Sequence, residues 1–232
     1  MKNKWQEVWS KRQFVQEQSE TILESLIKMD GFDTPLGKMT ELDWRDYVNN
    51  CIKNLDLTVD ETVFEIGCGC GAFVYVLCEK GFRVGGIDFS PPLIEIAKKS
   101  MPNSSASFQV CDAIDLEEIK SDCIIANHVF HYFPSYEYVS AVLETVTKSE
   151  SKVLITALPD IIFKKESEAF RMGALTDQEY KEKYDGLDIL YFSKSWILYE
   201  LHRLSPKRKV FFLPHSMPKF PQNEFRFDCL IL

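Results

Sequence analysis

An apolar run, Thr62–Ile66, leads without interruption into Gly67-Cys68-Gly69-Cys70-Gly71 and from there into a helix-forming stretch beginning at Ala72. Alternating glycines between a strand and a helix allow backbone angles closed to other residues and let the main chain approach a ligand closely. Two patterns fit the spacing. Gly67, Gly69 and Ala72 satisfy the G-x-G-x-x-A of dinucleotide sites, while Gly67, Gly69 and Gly71 satisfy a tighter G-x-G-x-G. Either implies a nucleotide-like cofactor, with a tight structural turn as the bland alternative.

The rest of the chain supplies the sheet that such a loop requires. Short Val- and Ile-rich runs at 62–66, 83–87, 107–110, 123–126 and 153–157 lack a polar alternate face, as buried parallel strands do. Helical stretches at 72–79, 91–99 and 135–148 separate them, and Ser90 before Pro91 and Ser135 after Pro134 read as N-caps. Residues 209–213 and 225–231 read as two final strands whose turn-rich link, 214–222, is too short for a crossover helix, so they pair antiparallel. The expected fold is α/β: a doubly wound, mostly parallel seven-stranded sheet with an antiparallel last strand and helices on both faces. One domain over 1–232 divides into an N-terminal helical cap at 1–55, a cofactor-binding half at 56–160, an insert or lid at 161–194, and a C-terminal helix with the last two strands at 195–232. Within the cap, 31–38 reads as a loop.

Three acids stand at successive strand ends. Glu65 lies inside the first strand, where burial is costly unless it accepts backbone donors or meets a cation. A pyrophosphate beside it would be repelled, whereas an ammonium would be held. Asp88 closes the second strand, 17 residues after Gly71, where a carboxylate can accept from both ribose hydroxyls. Asp112 follows the third strand and can accept from an adenine amine. In an open α/β sheet such ends converge on one crevice.

Over about residues 40–160 the chain resembles the class I methyltransferases that use S-adenosylmethionine, and the last two strands fit that family more loosely. The resemblance implies that the loop from Glu65 through Gly67, Cys68, Gly69 and Gly71 holds the methionine part. It further implies that Asp88 binds the ribose, that Asp112 with Ala113 binds adenine, that Phe89 lies beside the adenine, and that Ser90 belongs to the same cofactor-binding run. Asn127 and His128, in Asn127-His128-Val129-Phe130-His131-Tyr132, line the boundary between cofactor and acceptor. Trp9, with Trp5 and the aromatic segment 163–192, is a candidate for the lid and acceptor pocket; Tyr191, His215 and Met217 are further wall candidates. The small-molecule type of the family is the version matched, with transfer to an O or N atom by direct in-line substitution. His131 is the first candidate for general base, having an ordinary pKa suited to proton removal near neutrality, with His128 and Asp160 behind it.

Composition narrows the partners. Lys plus Arg number 27 against 35 Asp plus Glu, a net charge of -8, which disfavours a nucleic acid backbone. No Asn-Pro-Pro-Tyr-type tetrad follows the fourth strand, where Asn127 precedes His128. A protein or RNA methyltransferase, and less so an NAD-dependent oxidoreductase, remain as alternatives. The N-terminus has no apolar leader, and seven cysteines in largely apolar surroundings read as reduced thiols, so a cytoplasmic, membrane-free monomer or weak homodimer is expected. Cys68-Gly69-Cys70 has no second close pair, and no metal is expected.

Overall fold

The computed structural model describes residues 4–12, 20–34, 37–103 and 106–232. A short antiparallel ladder, β1 (Asp33–Thr34) with β2 (Gly37–Lys38), replaces the loop expected at 31–38, because backbone pairing there needs only two residues on each side. The main sheet holds β3 (Thr62–Ile66), β4 (Arg83–Asp88), β5 (Ser107–Val110), β6 (Cys123–Ala126), β7 (Lys152–Pro159), β8 (Val210–Pro214) and β9 (Arg226–Ile231). Its order is β5-β4-β3-β6-β7-β9-β8, parallel except for β9, which runs antiparallel between β7 and β8. This is the doubly wound seven-stranded sheet of the class I methyltransferase fold.

Helices α1 (Lys4–Ser10), α2 (Ile22–Met29), α3 (Glu41–Leu55), α4 (Ala72–Glu79), α5 (Pro91–Ser100), α6 (Tyr136–Thr147), α7 (Lys164–Met172), α8 (Asp177–Tyr184) and α9 (Lys194–Leu204) complete the described elements. Strand residues alternate between two cores, as the period of two requires. Ile125 and Leu154 pack with α2–α5, whereas Ile124, Val153 and Ile155 pack with α6 and α9. Trp44 and Tyr47 of α3 are fully buried, and Trp44 Nε1 donates to Ala72 O at 2.9 Å, tying the helical cap to the start of α4. Burying such side chains contributes roughly 1.5–3 kcal/mol each.

Local chemistry departs from expectation at two places. Ser90 occupies the N-cap position of α5, but its hydroxyl makes no cap bond and is enclosed without a partner. Pro91 and Pro92 fill the first two helical positions and remove backbone donors a cap would serve. Ser135 does cap α6, accepting from Tyr138 N at 3.2 Å. In β7 the register against β9 shifts between Ile155 and Leu158, with Ala157 at φ 58°, a bulge that carries the strand two residues past its expected end.

Candidate active site

The strand order reverses between β3 and β6, the switch point at which open α/β sheets form ligand crevices. A cavity of about 330 Å³ lies at the carboxyl ends of these strands, within the range of small-molecule sites. The glycine loop forms its floor. Gly67 (φ 70°) passes under Val129 and Gly69 (φ 54°) under Asp30, each so close that a Cβ would collide. Asp88 Oδ2 accepts from Gly69 N at 3.0 Å and its Oδ1 from Ser90 N at 2.9 Å, so one carboxylate organises both the loop and the start of α5.

Of the residues singled out from the sequence, Trp9, Glu65, Gly67, Cys68, Gly69, Asp88, Phe89, Asp112, Ala113, Asn127, His128 and His131 line this cavity. Gly71 and Ser90 stand behind the lining, at the N-cap positions of α4 and α5. Asp160 is not a lining residue: its carboxylate pairs with Lys194 Nζ at 3.2 Å and accepts from Ile162 N at 3.1 Å. Tyr191, His215 and Met217 are buried outside the lining. Among the described residues, the segment 161–194 likewise contributes no side chain to the cavity. It works from behind, with Leu190 N donating to His131 O at 2.9 Å, Trp5 Nε1 donating to Asp188 O at 2.7 Å, and Lys4 Nζ paired with Asp185 at 2.6 Å. The cover itself is α1, whose Trp5 and Trp9 rings lie 4.6 and 5.6 Å from Tyr132 and whose Gln6 reaches Asp112 at 3.5 Å.

Several lining residues carry no spacing signal in the sequence. Asp30, at the end of α2, accepts from Cys70 N at 3.0 Å and Ala72 N at 3.2 Å, capping α4 from a distant segment. Tyr138 donates to Asp112 Oδ1 and fixes that carboxylate against the 3₁₀ turn after β5. Arg12 stacks over Trp9 at 4.2 Å and donates to Met29 O, while Phe220, Gln222 and Arg226 close the far wall.

Burial dominates the electrostatics. Glu65 is 2% exposed, its Oε2 has no partner, and burial, with Asp30 and Asp88 nearby, holds its carboxyl well above the usual range. Burial likewise pushes Asp88 up to about 6 against the hydrogen bonds from Ser90 and Gly69. Asp30 is also raised by burial, opposed by Cys70, Ala72 and Arg12. Burial drives His128 and His131 well below the ordinary imidazole value, with His215 and Arg226 next in effect on His128 and Arg226 and Arg171 on His131. Both are therefore neutral near pH 7, and His128 Nε2 and His131 Nδ1 are enclosed without partners. His128, at φ 53°, packs among Phe32, His215 and Phe220 with ring centres about 5 Å apart. Asn127 Oδ1 is held by Tyr47 Oη at 2.7 Å and Thr156 Oγ1 at 2.9 Å.

These features fit a cationic nucleoside. The glycine cradle leaves room for a ligand backbone, and the orphaned Glu65 carboxyl asks for a positive partner. Residues 64–149 match the family model described as a methyltransferase domain. Magnesium-protoporphyrin O-methyltransferase of Rhodobacter capsulatus is 29% identical over 104 residues, 44% of this chain and 46% of that protein. Malonyl-[acyl-carrier protein] O-methyltransferase of Priestia megaterium is 35% identical over 79 residues, 32% of this chain and 28% of that protein. The matched stretch thus spans less than half the length of either relative. Among solved structures, magnesium protoporphyrin IX methyltransferase of Synechocystis with bound S-adenosylhomocysteine superposes at a TM-score of 0.62 with 15% identity, covering 99% of this chain and 93% of that one. The Haloferax volcanii methyltransferase in complex with the Trm112 activator superposes at 0.63 with 15% identity, covering 94% and 97%.

Proposed function

We propose, on the premise that the chain carries an S-adenosylmethionine-dependent methyltransferase domain of class I fold, that it transfers a methyl group to an O or N atom of a small-molecule acceptor. The observation that carries this reading is the convergence of Glu65, Asp88 and Asp112, from three neighbouring strand ends, on one cavity that also holds two neutral histidines. Glu65 would take the cofactor's ammonium, Asp88 its ribose hydroxyls, and Asp112 with Ala113 its adenine, with Phe89 alongside. When bound, the cofactor supplies a methyl already activated by a sulfonium, so the chain needs no nucleophile of its own. Its task is to align the reactants and exclude water. Trp5, Trp9 and Tyr132 offer aromatic faces for that purpose.

His131 is the candidate base. Burial keeps its imidazole unprotonated but also lowers its basicity from the ordinary value expected from the sequence, so its part is to orient the acceptor and take a proton only as the methyl is transferred. Asp160 is left out of this scheme because Lys194 and the Ile162 amide engage its carboxylate. A cavity lined with aromatic side chains and a net charge of -8 favour a small acceptor over RNA. Among the described residues no helix is long and apolar enough to cross a membrane, and the seven cysteines are all free thiols, which supports a cytoplasmic setting. The test is release of S-adenosylhomocysteine from S-adenosylmethionine across pools of small amines, phenols and carboxylic acids. Turnover with at least one pool is expected, and binding of NAD in place of S-adenosylmethionine would overturn the reading.

A further inference from the structure

Arg226 opens β9 and lines the cavity on the side away from the glycine loop. Its Nη1 donates to Ala157 O at 2.8 Å and its Nη2 makes a long bond to Gln222 Oε1 at 3.4 Å, while its Nε is enclosed without a partner. A guanidinium carries five N–H donors, so this one is under-bonded. Among the described residues no carboxylate lies within 4.0 Å of it, in contrast to Arg45 with Glu79 at 2.5 Å and Arg203 with Glu200 at 2.7 Å. Burial draws it down to about 10, which still leaves it charged at neutral pH. A partly buried cation with no anion is costly to a fold, and a ligand anion offsets that cost.

The cavity divides by charge. Asp30, Glu65, Asp88 and Asp112 belong to the side built on the glycine loop, β4 and β5, whereas Arg226 shares its side with His131, Tyr132, Phe220 and Gln222. Three strand spacings, β3 to β6 to β7 to β9, separate Arg226 from the glycine loop's strand, roughly 14 Å at about 4.8 Å each. The cofactor's own carboxylate is therefore not its natural partner. That group travels with the ammonium proposed for Glu65, near which Arg12 lies over Trp9 and acts on Asp30.

We infer that the acceptor is a small carboxylic acid with an aromatic or apolar body, its carboxylate anchored by Arg226 while a different O or N atom is methylated. The planar fork of a guanidinium suits a carboxylate, the pairing lowers that group's own nucleophilicity, and the Phe220 ring 5.4 Å from the guanidinium offers a flat wall for the body. The inference rests on the methyltransferase reading and names its acceptor class.

The test is calorimetric titration of the full chain, saturated with S-adenosylhomocysteine, with benzoate and 3-phenylpropionate and with the corresponding neutral amides. At least one acid should bind about tenfold or more tightly than its amide, some 1.4 kcal/mol. Arg226→Gln should abolish that preference and Arg226→Lys should keep part of it, with the affinity for S-adenosylhomocysteine unchanged in both. The ratio of acid to amide in the unaltered protein is informative even if a variant fails to fold. Equal binding of acids and amides, no binding of either acid at millimolar concentration, or a persistent preference in Arg226→Gln overturns the anchor. A large loss of S-adenosylhomocysteine affinity in Arg226→Gln also overturns it and assigns the arginine to the cofactor. Failure of the unaltered protein to bind S-adenosylhomocysteine at all overturns the methyltransferase reading on which the anchor rests.

Discussion

At the scale of single residues, Asp88 separates binding from stability. Its carboxyl accepts from Gly69 N and Ser90 N, yet burial raises its pKa from 3.8 to about 6. A group raised in the folded state favours folding most below its unfolded value, and that contribution is lost as pH rises through the folded value. At pH 7 ionised Asp88 therefore costs the empty protein on the order of 2–3 kcal/mol. Asp88→Asn should weaken cofactor binding about tenfold or more, roughly 1.4 kcal/mol, while the melting temperature at pH 7 stays level or rises. An unchanged dissociation constant removes the ribose assignment. For His131 the expected split is kinetic: His131→Ala should cut kcat far more than cofactor affinity, and kcat should hold constant as pH falls through 6.5, because burial keeps the imidazole neutral there. Small, equal losses in kcat and affinity would reduce the residue to packing.

At the scale of elements, the cover over the site is a helix that contributes little to the core. Every described side chain of α1 is at least partly exposed, and the helix is held by Lys4 and Trp5 to 185–188 and by Trp5 and Trp9 to Tyr132. Few buried contacts make such an element locally labile. Replacing both tryptophans with alanine should lower the melting temperature by no more than a few degrees. The same change should raise the dissociation rate of S-adenosylhomocysteine severalfold in stopped-flow displacement; an unchanged rate would mean that α1 does not cover the ligand. The sequence reads this region as part of a helical cap, of which 13–19 lies outside the described residues. The sequence offers Trp5 and Trp9 and the aromatic segment 163–192 alike as lid candidates, because aromatic density is what a sequence displays, whereas the side on which those rings face is set by tertiary contacts. The β7 bulge at Ala157 was invisible for the same reason: a residue at φ 58° leaves no mark when it is alanine.

For the molecule as a whole, the strands, their mostly parallel directions, the antiparallel end and the three acidic strand ends were legible because they follow from local runs and loop lengths. The rest of the lining was not, since Arg12, Asp30 and Arg226 come from segments that only folding brings together. That assembly concentrates carboxyls whose pKa values burial raises: Glu65 well above its ordinary range, Asp88 to about 6, and Asp30 in the same direction. By the same sign rule these carboxyls favour folding of the empty protein as pH is lowered from about 7 towards 5, while His128 and His131, held well below the ordinary imidazole value, oppose folding over the same range. A bound ammonium and a pair of ribose hydroxyls favour the ionised carboxyls and reverse this trend. At one fixed concentration of S-adenosylmethionine, chosen as a hundredfold excess over its dissociation constant at pH 7.5, the rise in melting temperature should therefore be about 5–10 °C at pH 7.5 and smaller at pH 5.5. Melting curves across that range with and without the cofactor test the point: an increment that is flat or larger at the acid end would show that the cofactor does not meet ionised carboxylates in this crevice.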